Sequence, residues 1–374
     1  MSDAPLPVLH LIWGLEMGGA QKIIAAIARH SPAGAFRHGV VSFHGDGPAR
    51  PEIEAAGCAA ALLNKRRGFD PAMPGALRRL TAGFPRGIMH AHDFTGAFWG
   101  RLALRGSPGW RLAVTDHLAS QALCAWKRLV YAMVLRRADM VMALGNATLA
   151  RLRAWGVADG RLALAPIGPD LPPPAPGARA ALRHELRLEP GRVLALTCAR
   201  LEAQKNLFWW LDLALRADPR LAFAIAGEGR QALELGRRIR AAGAGERVRM
   251  LGLRRDVGNL LAAADIYVLP SAFEELPVSV LEAMAAGLPI VAAPAGELPG
   301  LVAGEGDPAG FIIPLSQPAR WLDSLAALAS DPAARGRLGA RGREIVSRRF
   351  DAAQNAAELA RIYARVMARP KGRA

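Results

Sequence analysis

The chain has 374 residues, roughly two and a half ordinary domains' worth, and at 52% hydrophobic with a mean hydropathy of +0.14 it can bury two cores. A disordered, collagen-like or coiled-coil chain is excluded. Its 48 basic residues against 32 acidic give a net charge of +16, which makes nucleic acid or an anionic membrane the first partners to weigh.

Short apolar runs rich in β-branched residues alternate with longer amphipathic stretches, the pattern of βα units around parallel sheets. The polar Met1–Pro7 precedes an apolar run, Val8–Leu15, that lacks both a positive lead-in and a convincing cleavage site, and no apolar stretch reaches eighteen residues. A cytoplasmic protein that meets a membrane only peripherally, at its inner face, is therefore expected. Candidate strands in the first half are Val8–Trp13, Gly39–Phe43, Ala60–Leu63, Gly87–His92, Leu112–Asp116, Met140–Leu144 and Leu162–Ile167. Helical patterns fall between them, as at Gln21–Arg29, Pro74–Ala82 and Leu123–Arg137. The stretch 169–177 then carries Pro169, Pro172, Pro173, Pro174 and Pro176, which neither a helix nor a central strand tolerates. This puts the expected boundary between a domain of residues 1–170 and one of 171–374. Beyond it the rhythm restarts with Val193–Cys198, Leu221–Ala226, Val248–Leu251, Ile266–Pro270, Pro289–Ala293 and Phe311–Pro314, and the chain ends in helices, the last over 351–368. The expected fold class is α/β, with two Rossmann-like doubly wound domains. Ligands of such sheets bind beyond the carboxyl ends of the strands, and the two sets of ends are expected to face a central cleft.

The basic excess is dispersed. Residues 1–170 carry 20 basic and 11 acidic side chains, the remainder 28 and 21. A nucleic-acid binder would cluster its cations among aromatics, so nucleic acid is not expected as a partner. Only Lys22, Lys65, Lys127, Lys205 and Lys371 are lysines, so the surplus is arginine. Cys58, Cys124 and Cys198 are odd in number, far apart and without C-x-x-C spacing, which indicates neither a disulfide framework nor a zinc site.

Three segments carry candidate chemistry. The first strand leads into Gly18 and Gly19 just before a helix, a turn that lets backbone N–H groups approach a phosphate, although any tight βα turn also favours glycine. No G-x-G-x-x-G spacing is present. In Ala199-Arg-Leu-Glu-Ala-Gln-Lys-Asn206, Arg200 and Lys205 flank a loop, where a fork donor and a point charge can jointly neutralise a diphosphate. In Ser271-Ala-Phe-Glu-Glu-Leu-Pro-Val-Ser-Val-Leu-Glu282 a strand gives way to a loop with Glu274 and Glu275. A helix then begins near Pro277 or Val278, proline suiting the first position. Glu282 lies a turn inside it, so both carboxylates can reach one pocket toward which the N–H groups of Val278–Val280 point. Carboxylates accept from sugar hydroxyls and helix N–H groups donate to phosphate, which together suit a sugar on a nucleoside diphosphate.

The Glu274/Glu282 pair, with seven residues between, resembles the E-x7-E signature of the family 4 retaining glycosyltransferases of GT-B fold. Gly18-Gly19, Ala199–Asn206, Ala226-Gly-Glu-Gly229, Leu251-Gly252 and Ala264–Ser271 fall where that family would have them. The resemblance implies a transferase that moves a sugar from a nucleoside-diphosphate sugar to an acceptor hydroxyl, on a glycan or lipid-linked acceptor, with retention. Cell-surface glycan, lipopolysaccharide or glycolipid synthesis is the implied setting, and the nucleotide sugar is substrate, not cofactor. It implies Arg200 and Lys205 as the diphosphate clamp, Glu274 on the transferred sugar, Glu282 on the ribose, and the backbone of Leu276, Pro277, Val278 and Ser279 at the sugar and phosphates. Gly18, Gly19 and Gly227 would approach the donor, main chain at Leu253 and Arg254 would meet the base, and His117 would lie near the transferred sugar. The final helix is expected to cross back to the first domain. Glycine commonly follows the first glutamate in the family. Here Glu275 does, so either a positive φ is strained or an extra acceptor alters which sugar is held.

No D-x-D sequence occurs, so no metal is expected and cations with helix dipole would stabilise the leaving group. His90 and His92 share a pleat face with Asp93 pointing away, so a polar lining is expected of them in place of a metal site. The stretch 126–137 has aromatics, apolar residues and cations at helical spacing, which fits either an interfacial helix or a core helix with solvated ends, and one ring of Trp209-Trp210 is expected in the core. An epimerase of the same fold would need further acid and base carboxylates, for which no signature stands out.

Overall fold

The computed structural model describes residues 4–117, 123–304 and 306–369, and the chain divides into two compact units. The first takes the residues up to Gly168 together with those from Asp351 onward; the second runs Pro169–Phe350.

In the first unit seven strands alternate with helices: β1 (Leu6–Ile12), α1 (Gly19–His30), β2 (Phe36–Ser42), α2 (Arg50–Ala55), β3 (Ala59–Leu62), α3 (Met73–Thr81), β4 (Gly87–Ala91), α4 (Phe94–Ala103), β5 (Trp110–Thr115), α5 (Ala125–Arg137), β6 (Met140–Ala143), α6 (Asn146–Ala154) and β7 (Leu162–Leu164). All pair in parallel in the order β3-β2-β1-β4-β5-β6-β7. Helices cover both faces, so central strands need no polar side. Every residue of β4 and β6 is buried, as doubly covered parallel sheets require.

The second unit repeats the scheme with α7 (Ala178–Glu185), β8 (Val193–Cys198), α8 (Leu207–Arg216), β9 (Leu221–Ala226), α9 (Ala232–Ala241), β10 (Val248–Met250), α10 (Val257–Ala263), β11 (Ile266–Leu269), α11 (Val278–Ala285), β12 (Ile290–Ala292), β13 (Gly310–Ile312), α12 (Pro318–Ser330) and α13 (Pro332–Arg349). The parallel order is β10-β9-β8-β11-β12-β13. Its core gathers Trp210, Phe223 and Trp321, all fully buried, while Trp209 packs edge-on against Trp321 at its margin.

The last helix, α14 (Ala352–Ala368), starts at Asp351, whose carboxylate accepts from the Gln354 N–H as a favourable N-cap does. It packs on α1 and β4 of the first unit and buries Leu359, Ile362, Tyr363 and Val366.

Candidate functional site

In both sheets the strand order reverses beside the first strand of the unit, between β1 and β4 and between β8 and β11. Loops leaving those neighbours in opposite directions part there, and that is where open α/β sheets bind ligands.

At the β8/β11 reversal the loop after β8 carries Arg200 and ends in a short 3-10 turn, Ala203–Lys205. Asn206 follows in the left-handed region at φ 54°, a conformation asparagine tolerates better than most residues. The loop after β11 docks against this turn: the Ala272 N–H donates to the Gln204 carbonyl at 2.8 Å, and Gln204 Nε2 donates to the Phe273 carbonyl at 2.8 Å. The docking brings Lys205 Nζ to 2.5 Å from Glu274 Oε1, with both side chains largely buried. Gln204 thereby shapes the site, although its residue type alone does not mark it. Its signal was its place inside the loop motif, between the two cations.

Glycines make the close approach around this site possible. Gly227 has φ +145°, and a Cβ there would sit 1.9 Å from the Ala199 carbonyl oxygen. Its N–H donates to the Gly252 carbonyl at 2.7 Å and the Ala199 N–H to the Ala226 carbonyl at 3.0 Å, which together tie the carboxyl ends of β8, β9 and β10. Gly296, φ +54°, gives the same clearance to the carbonyls of Glu274 and Glu275. Glu275 is not among the residues with positive φ, so the strain reading is set aside. Its carboxylate is buried in the loop beside Glu274.

Helix α11 begins at Val278 with Pro277 as its cap residue, φ −70° and ψ 112°. Leu276 is buried in front of it, and Glu282 is buried one turn in. The phenol of Tyr267 on β11 donates to the Cys198 carbonyl at 3.0 Å and also bonds Ser279, so α11 is fixed to the end of β8. Arg200 is exposed and makes no side-chain hydrogen bond or ion pair with a described residue. Arg254 pairs with Asp256 and Glu185, at 2.8 and 2.6 Å. Its side chain is thus occupied beside the Leu253 main chain.

At the β1/β4 reversal, Gly18 caps α1 in an extended conformation, φ −169°, and Gly19 opens the helix. The Trp13 N–H donates to Asp93 Oδ2 at 2.5 Å, and Asp93 Oδ1 accepts from the Gly96 N–H to cap α4. Burial pushes the Asp93 carboxyl up to about 6, against these backbone donors that favour its charge.

Beneath it lies a cluster of five histidines. His10 Nε2 is 3.0 Å from His38 Nδ1, His10 Nδ1 is 2.9 Å from His92 Nε2, and His92 Nδ1 is 3.0 Å from His117 Nε2. His90 stands beside the line, held by Thr115 Oγ1 and Tyr363 OH, each at 2.7 Å. Burial holds His10 and His92 well below the ordinary imidazole range, with neighbouring rings adding to it. Burial likewise brings His38 and His117 to about 4 and His90 to about 3. Nitrogens of His10, His90 and His92 lie close enough to hold a metal ion. The third partner that the His90/His92 pair lacked in sequence is therefore His10, which stands opposite His90 in the β1/β4 register. Each of these rings also has a protein hydrogen-bond partner at both nitrogens.

Two families match the chain. The one described as Glycosyltransferase Family 4 matches residues 17–171, and the one described as Glycosyl transferases group 1 matches 178–345, which between them take in most of the sequence. The chain belongs to the group 1 glycosyl transferases. HepE of Anabaena, solved in complex with UDP and glucose, superposes with a TM-score of 0.84 at 21% identity over 96% of this chain and 99% of that one. WaaG, a glycosyltransferase involved in lipopolysaccharide biosynthesis, gives 0.72 at 17% over 95% and 99%. The fold is thus GT-B. The mannosyltransferase LpsB of lipopolysaccharide core biosynthesis in Rhizobium meliloti is 31% identical over 160 residues, 42% of this chain and 43% of that protein. Of several other curated relatives the chain spans about half the length or less.

Of the positions that the family signature selects in this group 1 chain, Lys205, Glu274, Leu276, Pro277, Ser279 and Glu282 gather around the β8/β11 reversal, and Gly227 lies at the adjoining strand ends. His117 belongs to the first unit with Gly18 and Gly19.

Proposed function

We propose that this group 1 chain transfers a sugar from a nucleoside-diphosphate donor to an acceptor hydroxyl, with retention of configuration, in the assembly of a cell-surface glycan, lipopolysaccharide or glycolipid. The observation that carries the reading is the buried Lys205–Glu274 pair at 2.5 Å beside the start of α11. A carboxylate that accepts from hydroxyls, an ammonium for a phosphate and the helix's first N–H groups stand at one strand reversal, which is the chemistry a sugar diphosphate requires. On donor binding the ammonium turns to the diphosphate with exposed Arg200, and Glu274 exchanges its ion pair for sugar hydroxyls. Glu282 serves the ribose, and main chain at Leu253 and Arg254 serves the base. The Gly18-Gly19 turn serves the diphosphate, and His117 a sugar hydroxyl.

The chemistry then rests on position and leaving-group stabilisation. Positive charge and helix dipole are strongest where negative charge grows on the departing phosphate. With that complement no metal is required, and the departing oxygen helps take the proton of the attacking hydroxyl. The relatives include an Escherichia coli enzyme named for a galactose carried on UDP and an acceptor carried on diphosphoundecaprenol, which supports a lipid-linked acceptor. Among the described residues no helix is long and apolar enough to cross a membrane. The proposed membrane contact is instead α5, where Trp126, Leu129 and Met133 are 62%, 64% and 40% exposed along one stripe that continues into Arg136 and Arg137.

A thermal-shift panel of UDP-, GDP- and ADP-sugars, run with and without chelator, tests the donor. One nucleotide sugar should raise the melting temperature by mass action equally in both. Glu274→Ala and Lys205→Ala should each weaken that ligand by roughly tenfold or more, the value of a charge-assisted contact. If neither moves binding by more than about twofold, the site is misassigned.

A further inference from the structure

The five-histidine cluster has a regular construction. His38 lies on β2 level with Val8 of β1; His10, two residues further along β1, is level with His90 of β4. His92 is two residues past His90, and His117 lies two residues past Thr115 at the end of β5, beside β4. The line therefore climbs one strand and two residues at each step, always on the same pleat face. It runs from the end of α1, through the core, to the carboxyl end of β5.

One end of this line is fixed. Ser31 Oγ lies 2.8 Å from His38 Nε2 and 2.7 Å from the Ile27 carbonyl. A carbonyl only accepts, and Ile27 is in the last turn of α1, where backbone carbonyls lack a helical donor. The single hydroxyl proton goes to Ile27, and Ser31 Oγ must then accept from His38 Nε2–H. The burial that keeps these rings neutral leaves each with one N–H and one bare nitrogen. With its proton on Nε2, His38 accepts at Nδ1 from His10 Nε2–H. His10 in turn accepts from His92 Nε2–H, and His92 from His117 Nε2–H. The opposite direction makes the same ring-to-ring bonds but forfeits the one to Ile27.

We propose that Ser31, His38, His10 and His92 form a one-way hydrogen-bonded relay that holds His117 as the Nε2–H tautomer. Its Nδ1 is thereby left as an acceptor for a hydroxyl of a bound polyol ligand. That nitrogen bonds no described residue, and it stands past the carboxyl end of β5, where ligands of such sheets bind. The three buried histidines and Ser31 are positioning residues; His117 alone would touch ligand. The ligand half rests on the sugar-transfer reading above, and the relay itself does not.

The test is tautomer assignment by long-range proton–nitrogen correlation on histidine-labelled, ligand-free protein at neutral pH. His38, His10, His92 and His117 should all carry their proton on Nε2, favoured by roughly fivefold or more, the worth of one hydrogen bond. Ser31→Ala removes the acceptor that sets the direction and should bring a substantial Nδ1–H population to His117. Ser31→Thr, which keeps the hydroxyl, should restore the parent pattern. An Nδ1–H His117 in the parent protein overturns the relay, as does a Ser31→Ala protein with unchanged tautomers. A saturable shift of the His10, His90 and His92 signals with zinc overturns it in favour of a metal centre. In turnover assays Ser31→Ala should lower kcat several-fold with the donor KM unchanged; an unchanged kcat with altered tautomers would overturn the ligand half alone. Because the spectra need no donor, failure of the relay and failure of the sugar-transfer reading, which the donor panel tests, are told apart.

Discussion

Lys205 and Glu274 answer each other's charge in a largely buried setting at 2.5 Å. Removing one partner of such a pair leaves the other desolvated and uncompensated, at about 3 kcal/mol or more, while removing both removes the penalty as well. In the donor-free protein Lys205→Met and Glu274→Gln should each lower stability by an amount in that range, scaled down by their residual exposure. The double variant should lose clearly less than the sum, a coupling that urea melts of the four proteins would measure. Simple additivity would show that the two charges are solvated separately. Gly227 adds a steric constraint of a different kind. At φ +145° with the Ala199 oxygen 1.9 Å from where a Cβ would stand, Gly227→Ala requires the ends of β8 and β9 to separate, and it should destabilise the protein by at least the 1–3 kcal/mol or so of a strained backbone site.

Every strand named from the sequence is present, with ends within three residues, because a doubly covered parallel strand is written as a largely apolar run between turn residues. The E-x7-E segment was legible for a similar reason: proline and glycine bracket α11, and its length fixes Glu282 on the first turns. What did not show was anything that depends on register. Nothing in the sequence sets His10 or His38 apart, and only the parallel pairing of β2, β1, β4 and β5 brings them into line with His92 and His117. The ion pair was hidden likewise, since the place of Gln204 in its loop motif does not disclose which other loop it joins. Helix α5 could be read two ways, and the structure separates its faces: Tyr131, Val134 and Leu135 are buried, while Trp126, Leu129 and Met133 face outward. With each cation near an anionic surface worth about 1 kcal/mol, Arg136→Glu with Arg137→Glu should weaken binding to anionic vesicles by tenfold or more in a flotation assay. Binding that survives the double reversal removes α5 as the contact.

At the scale of the molecule the histidines govern how the first unit responds to acid. Five imidazoles, His10, His38, His90, His92 and His117, are held below the value of about 6.5 that they regain on unfolding. The unfolded chain therefore binds more protons than the folded one once the pH drops below about 6.5. The stability that their neutrality contributes is complete above that point and is lost as pH falls toward the folded values, by about 1.4 kcal/mol per pH unit for each group. Asp93 has the opposite sign, since its carboxyl is raised to about 6 and the folded state holds that proton more tightly. It offsets roughly one of the five. Surface carboxylates that their arginine partners hold low, such as Asp218 and Glu234, both at about 2, enter only below about pH 4. Between those limits the cluster decides, and its polar neighbours Ser31, Thr115 and Tyr363 bring no compensating charge. Stability should be nearly flat from pH 8 to 7 and fall steeply below 6.5. The transition that unfolds the first unit near pH 5.5 should take up about four protons from the cluster, five histidines less Asp93, and a fraction more from His44, which burial also lowers, and calorimetry in buffers of different ionisation enthalpy would count them. An uptake near zero would mean that the rings are already charged or open to water in the folded protein, and a line of neutral imidazoles could not then exist.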